Sequence, residues 1–144
     1  MTARAGDAMM PWVAPSVLIV DDHESFRAWA RVLLEQAGYT VLGEAADGAS
    51  AIRAAARLRP GVVLLDVQLP DIDGFEVARR LGGGRRPPAI VLISTRDAGD
   101  YTERLERSCA VGFLPKEELT AEALAQLLSA CDGGDTGNER SAGG

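Results

Sequence analysis

The chain has 144 residues and a formal net charge of −6, from 21 acidic against 15 basic side chains, with 47% of residues hydrophobic and 25% charged. That length fits one domain and not two full ones, the composition is that of a globular chain, and no run approaches the apolar length that crosses a bilayer. The acidic balance argues against nucleic-acid binding through the chain's own surface, and aromatic residues at 5% provide no stacking platform for single strands.

The first fifteen residues hold Arg4 and Asp7 and no continuous apolar stretch, so they do not resemble a signal peptide; the expected compartment is the cytoplasm. Pro11 and Pro15 around Trp12 suggest an extended, flexible lead-in over 1–15. From there to Cys131 short aliphatic runs alternate with helical patterns, the signature of βα units on a parallel sheet. Val17–Val20 reads as a first strand. A helix follows at about Ser25–Ala37, with Phe26, Ala30, Leu33, Leu34 and Ala37 inward and Gly38 as its stop. Thr40–Glu44 is the second strand, and Asp47 caps a helix with Ile52, Ala55, Ala56 and Leu58 inward, ended by Pro60. Val62–Leu65, apolar throughout, suits a central parallel strand. Asp73-Gly74 opens the third helix, with Phe75, Val77, Ala78 and Leu81 inward, and the glycines at 82–84 break it. Strand four is Ala89–Ile93. A weaker helix at about Ala98–Arg107 carries few large apolar residues, so its hold on the sheet is expected to be the loosest. Strand five is Val111–Leu114, and Thr120 caps a last helix with Leu124, Leu127 and Leu128 inward. The Gly-rich segment 132–144 has nothing to bury and reads as a disordered tail. Cys109 and Cys131 lack metal-ligand spacing and read as ordinary thiols.

Strict alternation of five strands and five helices predicts an α/β fold, a three-layer α/β/α sandwich with a five-stranded parallel sheet in the flavodoxin-like order 2-1-3-4-5, built from right-handed crossovers. In such a sheet ligands bind beyond the carboxyl ends of the strands, where the strand order reverses. Here that point lies between strands one and three. Asp21 and Asp22 follow strand one and Asp66 follows strand three, so three carboxylates converge. Ser94 ends strand four, and Lys116 comes two residues after strand five. Unpaired carboxylates about 4 Å apart would repel by roughly 4 kcal/mol at an intermediate dielectric, so a cation is needed. Mg²⁺, or Mn²⁺, suits oxygen ligands and leaves room for phosphate oxygens. With the ion and Lys116 on the phosphoryl oxygens, a carboxylate can act as nucleophile.

The segments VLIVDDHESFR (Val17–Arg27), VVLLDVQLPDIDG (Val62–Gly74), IVLIST (Ile90–Thr95) and GFLPK (Gly112–Lys116) resemble the motifs of response-regulator receiver domains of two-component systems, in order and at compatible spacing. The resemblance covers about Ser16 to Leu128, within a domain placed at 16–131. It implies that Asp66 is the phosphoacceptor, that Asp21, Asp22, Asp66 and the Gln68 backbone carbonyl hold the metal, that Ser94 is the switch hydroxyl, Phe113 the switch aromatic and Lys116 the family's lysine. It implies a sensor histidine kinase or phosphotransfer protein as donor and a protein target on the face of the fourth helix, fifth strand and fifth helix. Dimerisation on phosphorylation is compatible with it. No membrane or direct nucleic-acid partner is implied, nor any enzymatic activity beyond the chain's own phosphorylation and dephosphorylation. The opening and closing motifs are closest to receivers of the LuxR-type (NarL/FixJ-like) class, whose DNA-binding domain is not found in these 144 residues.

The chain also departs from the family. Thr95 is bulkier than the Ala or Gly frequent there, Phe113 lacks the phenol of the commoner Tyr, and Pro115 precedes the lysine where the family often has a proline after it. Gln68 and Arg96 stand where the family tunes dephosphorylation. Two other readings are weighed: a degenerate receiver that binds partners without phosphorylation, and an aspartyl-nucleophile phosphohydrolase, which wants a second acid where Gln68 stands. His23, Asp71 and Asp73 read as loop, turn and cap residues.

Overall fold

Each of the five aliphatic runs forms a short strand, as expected for residues that pack well on a pleated, buried surface. They are β1 (Ser16–Val20), β2 (Thr40–Ala45), β3 (Val62–Asp66), β4 (Ala89–Ser94) and β5 (Gly112–Pro115). All neighbours pair in parallel, in the order β2-β1-β3-β4-β5. Between them run helices α1 (Glu24–Gln36), α2 (Gly48–Leu58), α3 (Gly74–Gly82), α4 (Thr102–Arg107) and α5 (Ala121–Gly137), with 3-10 turns at Ala98–Tyr101 and Lys116–Glu118. The structure, a computed structural model, describes residues 15–84, 86–95 and 98–137. Most of the lead-in with Trp12, the end of the tail from 138 and Arg96 lie outside them.

Alternate residues of each strand face opposite sides of the sheet, and this divides the core in two. Leu18, Val20, Val63, Leu65, Ile90 and Leu92 pack against α2 and α3. Val17, Ile19, Val62, Leu64, Val91, Ile93 and Leu114 pack against α1 and α5 through Ala30, Leu34 and Leu124. The result is the three-layer sandwich with the flavodoxin-like strand order that the sequence predicts. Each fully buried Leu, Ile or Val contributes about 1.5–3 kcal/mol of hydrophobic stabilisation.

The helix ends follow local chemistry. Asp47 accepts a hydrogen bond from the Ser50 amide at 2.8 Å and Asp73 one from Glu76 at 3.0 Å, the expected N-caps. The Thr120 hydroxyl accepts from the Ala123 amide at 3.0 Å. Gly38, at φ +97°, supplies the left-handed residue that stops α1. The α2 helix ends on Leu58, with Arg59 at φ 51° as its C-cap; the following Pro60 disfavours a further helical residue there.

Several expectations are corrected. Ala37 is exposed because it is the C-cap of α1 rather than part of its inner face. Ala56 is exposed while Ala51, Ala54 and Ala55 are buried; it lies roughly 100° round the helix from Ala55. The fourth helix begins as a 3-10 turn, and its α-helical part is only six residues long with no buried side chain. The segment assigned to the tail from Asp132 is helical as far as Gly137. Two consecutive glycines disfavour helix by about 1 kcal/mol each, but they leave the backbone hydrogen bonding of a helix open, and no proline interrupts it.

On the edge strand β2 the pairing slips by one residue: Val17 pairs with Val41, but Leu18 pairs with Gly43, so Leu42 is stepped over. Leu42 is accordingly among the few large apolar residues left exposed. Among the described residues no helix is long and apolar enough to cross a membrane.

Candidate functional site

The sheet order brings the carboxyl ends of β1 and β3 side by side, and Asp21 and Asp66 sit at those two ends. Both are buried, and with Ser94 they are the buried polar or charged residues of the described chain. Such groups require partners. The Asp21 amide donates to the Ala45 carbonyl at 3.0 Å. Its carboxylate Oδ1 accepts from the His23 amide at 2.8 Å, and its carbonyl accepts from Arg27 Nη1 at 2.7 Å. Arg27 in turn donates through Nε to Glu44 at 3.0 Å, which ties β2 and α1 to the turn after β1. On the other strand, Asp66 Oδ1 accepts from the Gln68 amide at 3.0 Å.

Lys116 opens the 3-10 turn after β5 and reaches across both acids. Its Nζ lies 2.5 Å from Asp21 Oδ2 and 3.4 Å from Asp66 Oδ2, and it stands 4.7 Å above the centre of the Phe26 ring. The contact to Asp21 is an ion pair without hydrogen-bond geometry; Asp21 Oδ2 is buried and accepts no hydrogen bond. Burial pushes the Asp66 carboxyl above the ordinary carboxylate value; the Gln68 amide opposes this, the Asp21 charge adds to it, and the Lys116 ammonium opposes it.

Asp22 and His23 complete the mouth of the site. The His23 Nδ1 is 3.1 Å from Asp21 Oδ1 and 3.1 Å from Asp22 Oδ1. His23 is the N-cap residue of α1, but its side chain makes no capping hydrogen bond. One ligand atom from each of Asp21, Asp22, His23 and Asp66 lies within 4.8 Å of the others. The donor set fits a divalent cation on two counts: it is dominated by carboxylate oxygens, and the buried Asp21 Oδ2 still has an acceptor position unused by any hydrogen bond. Above the acids opens a cleft of about 250 Å³ lined by Asp22, His23, Asp66, Gln68, Leu69, Pro70, Thr95 and Lys116. Thr95, exposed, forms the wall on the β4 side, where the sequence expects it to narrow access. A larger groove of about 710 Å³ between α3 and α4, with Phe75 and Cys109 in its lining, contains none of the predicted site residues.

The loop from Asp66 to α3 is fixed at two points. The Gly74 amide donates to the Val67 carbonyl at 2.7 Å, and a Cβ at Gly74 would overlap the Asp66 carbonyl oxygen, so only glycine permits this approach. Asp71 accepts from the amides of Gly48 and Ala49 at 2.8 and 2.9 Å, capping α2 from across the fold. The Gly48 hydrogen bond and then that from Ala49 hold its carboxyl below the ordinary range.

Ser94 is fully buried at the end of β4, where its hydroxyl shares a hydrogen bond of 3.3 Å with the Tyr101 phenol. Phe113 does not touch the acids; its ring packs against Tyr101 with centroids 5.9 Å apart. Asp21, Asp66 and Lys116 thus meet directly, Asp22 and Gln68 line the same cleft, and Ser94 and Phe113 both contact Tyr101. Sequence reasoning singled out neither Tyr101 nor Arg27. Tyr101 is a lone aromatic in a weakly patterned helix, and Arg27 has the sequence surroundings of any surface arginine.

The response regulator receiver domain family matches residues 17–129. The chain belongs to that family. As a receiver domain it is 34% identical over 118 residues to the response regulator GacA of Pseudomonas aeruginosa, covering 78% of this chain and 55% of that protein. Among solved structures, it is similar to the signal receiver domain of a modulated diguanylate cyclase from Desulfovibrio desulfuricans G20, with a TM-score of 0.71 and 35% identity, over 81% of this chain and 92% of that one. It is also similar to a LuxR-family two-component response regulator from Aurantimonas sp. SI85-9A1, with a TM-score of 0.74 and 26% identity, over 83% and 86% of the two chains. The chain spans about half the length of the curated relatives it matches. It is therefore a receiver domain of a two-component response regulator, with an acidic pocket at the expected sheet edge.

Proposed function

We propose that this receiver domain accepts a phosphoryl group on the Asp66 carboxylate and passes the change on to a protein partner. The observation that carries the reading is the arrangement of Asp66: buried at the floor of an open cleft, one oxygen oriented by the Gln68 amide and the other beside the Lys116 ammonium. Burial weakens the hydration of the carboxylate, while the fixed amide and ammonium dipole and charge are already in place for the extra negative charge of the product.

In this reading Asp21, Asp22, Asp66 and the Gln68 carbonyl hold Mg²⁺ or Mn²⁺. When bound, that ion neutralises charge on the phosphoryl oxygens. An Asp66 oxygen attacks phosphorus in line. The bond from phosphorus to the donor breaks: a histidine nitrogen of a sensor kinase or phosphotransfer protein, or the acetate oxygen of acetyl phosphate. The donor keeps the bonding electrons. Lys116, now freed of part of its pairing with Asp66, hydrogen-bonds a phosphoryl oxygen, and Ser94 turns to another. Phe113 then fills the space behind Ser94 and shifts the surface of α4, β5 and α5, which is the docking face for the target in the cytoplasm and, in the phosphorylated form, for a second copy of the domain. Beyond this self-modification the domain has no turnover of its own.

The test is intact mass after incubation with acetyl phosphate and Mg²⁺. One added phosphoryl group is expected in the wild type and none in Asp66→Asn. A folded wild-type chain that gains no adduct with acetyl phosphate or with phosphorylated kinase would instead make this a receiver that binds partners without phosphorylation. Steady release of phosphate from unrelated esters would point to a hydrolase.

A further inference from the structure

We infer that Tyr101 is a positioning residue for Ser94: its phenol holds the Ser94 hydroxyl toward α4, and phosphorylation must break that hydrogen bond before Ser94 can serve the phosphoryl group. The inference rests on the phosphoryl-transfer reading of Asp66.

Four observations lead to it. The Ser94 and Tyr101 hydroxyls are 3.3 Å apart in a buried setting, while the wall of the cleft on that side is Thr95. The Tyr101 ring is itself buried and held between two others, with centroids 5.7 Å from Phe75 and 5.9 Å from Phe113. A buried phenol needs a polar partner at its tip, and Ser94 supplies one. Finally, Tyr101 ends the 3-10 turn that leads into α4, the helix with no buried side chain, so the segment that carries the phenol is the one most easily moved.

Phe113 has no hydroxyl and reports only by its shape. Tyr101 therefore couples the polar event at Ser94 to α4, and Phe113 couples the same event to β5 through the ring contact. Moving the Ser94 hydroxyl leaves the phenol without its partner, and the phenol has then to leave its apolar slot or find water. Either movement carries α4 with it.

The test compares initial rates of phosphoryl adduct formation from acetyl phosphate and Mg²⁺, read by intact mass, in wild type, Tyr101→Phe, Ser94→Ala and the double variant. Tyr101→Phe keeps the ring stack and removes only the hydroxyl, so all four chains are expected to give the same circular dichroism spectrum. With a net hydrogen bond no longer opposing the switch, Tyr101→Phe should form the adduct about fivefold faster than wild type. In the Ser94→Ala background the same change should have no effect. If the wild type forms adduct but Tyr101→Phe is no faster, the assignment of Tyr101 is overturned and the role of Asp66 stands. If acceleration persists without the Ser94 hydroxyl, Tyr101 acts by packing and the inference is again overturned. If neither acetyl phosphate nor phosphorylated kinase gives adduct in any chain, the reading of Asp66 fails first and this one with it.

Discussion

Strand β3 is buried from Val62 to Asp66, whereas in β5 only Leu114 is, and α4 next to it buries no side chain. The first region holds the acids, the second the ring contact between Tyr101 and Phe113. In the β1–β3 half each of these aspartates is fixed by its own partners: Asp21 by His23, Arg27 and Lys116, Asp66 by Gln68 in the turn that follows it, Asp71 by the start of α2. In the other half, α4 is held by Leu105 at the margin of the core, by the Arg104 guanidinium 4.2 Å above the Phe75 ring, and by an exposed pair between Arg104 and Asp73. Chemistry needs a preorganised site. Signalling needs an element whose alternative position is only slightly less stable. Under the proposed function, the fold meets both needs from one sheet by varying how deeply each strand end is covered.

Core truncation sharpens this contrast most. Leu64→Ala in the middle of β3 should lower unfolding free energy by about 3 kcal/mol, whereas Leu105→Ala on α4 should lower it by less than about 1 kcal/mol. Urea denaturation measures both, and similar losses would show that the halves are equally firm. A smaller effect is expected at Asp71. Replacement by Ala leaves the Gly48 and Ala49 amides without their acceptor, for a loss of about 1 kcal/mol, and amide hydrogen exchange should accelerate at those two positions before it does in β3. The smallest effect is at Glu76 on α3, whose carboxyl is pulled down from 4.5 to about 2 by Arg79 first and then Arg80. A lowered carboxyl stabilises the fold above its ordinary value, and that contribution disappears as pH falls from about 4.5 toward 2. The group is solvent-exposed, so the effect should be small and weaken with salt. Melting temperatures of the wild type and Glu76→Gln should differ slightly at neutral pH and converge near pH 2.

Much of this was legible in the sequence because it is written in local patterns. Val62–Leu65 is apolar without interruption, and a parallel sheet alone explains that. Once the order of strands follows, Asp21, Asp66 and Lys116 must meet, although 50 residues separate the last two. What escaped the sequence depends on pairings with no local mark. Asp71 reads as a turn residue because the amides it caps lie 22 and 23 positions away. Ala56 and Ala54 are indistinguishable by composition, and only the docking angle of α2 buries one of them. Tyr101 stands in the segment with the poorest periodicity, so its contact with Ser94 could be found only once the 3-10 turn had been seen to bring the phenol over the end of β4.

The residue stepped over on β2 bears on how the molecule avoids its own kind. An edge strand offers a row of free backbone donors and acceptors to any other chain. The skipped Leu42 breaks that row in the middle of β2 and bends the strand locally. The opposite edge is guarded differently: β5 is four residues long and ends on Pro115, which has no amide hydrogen to donate. Neither edge of the sheet thus offers another chain an uninterrupted strand of donors and acceptors on which a fibril could grow.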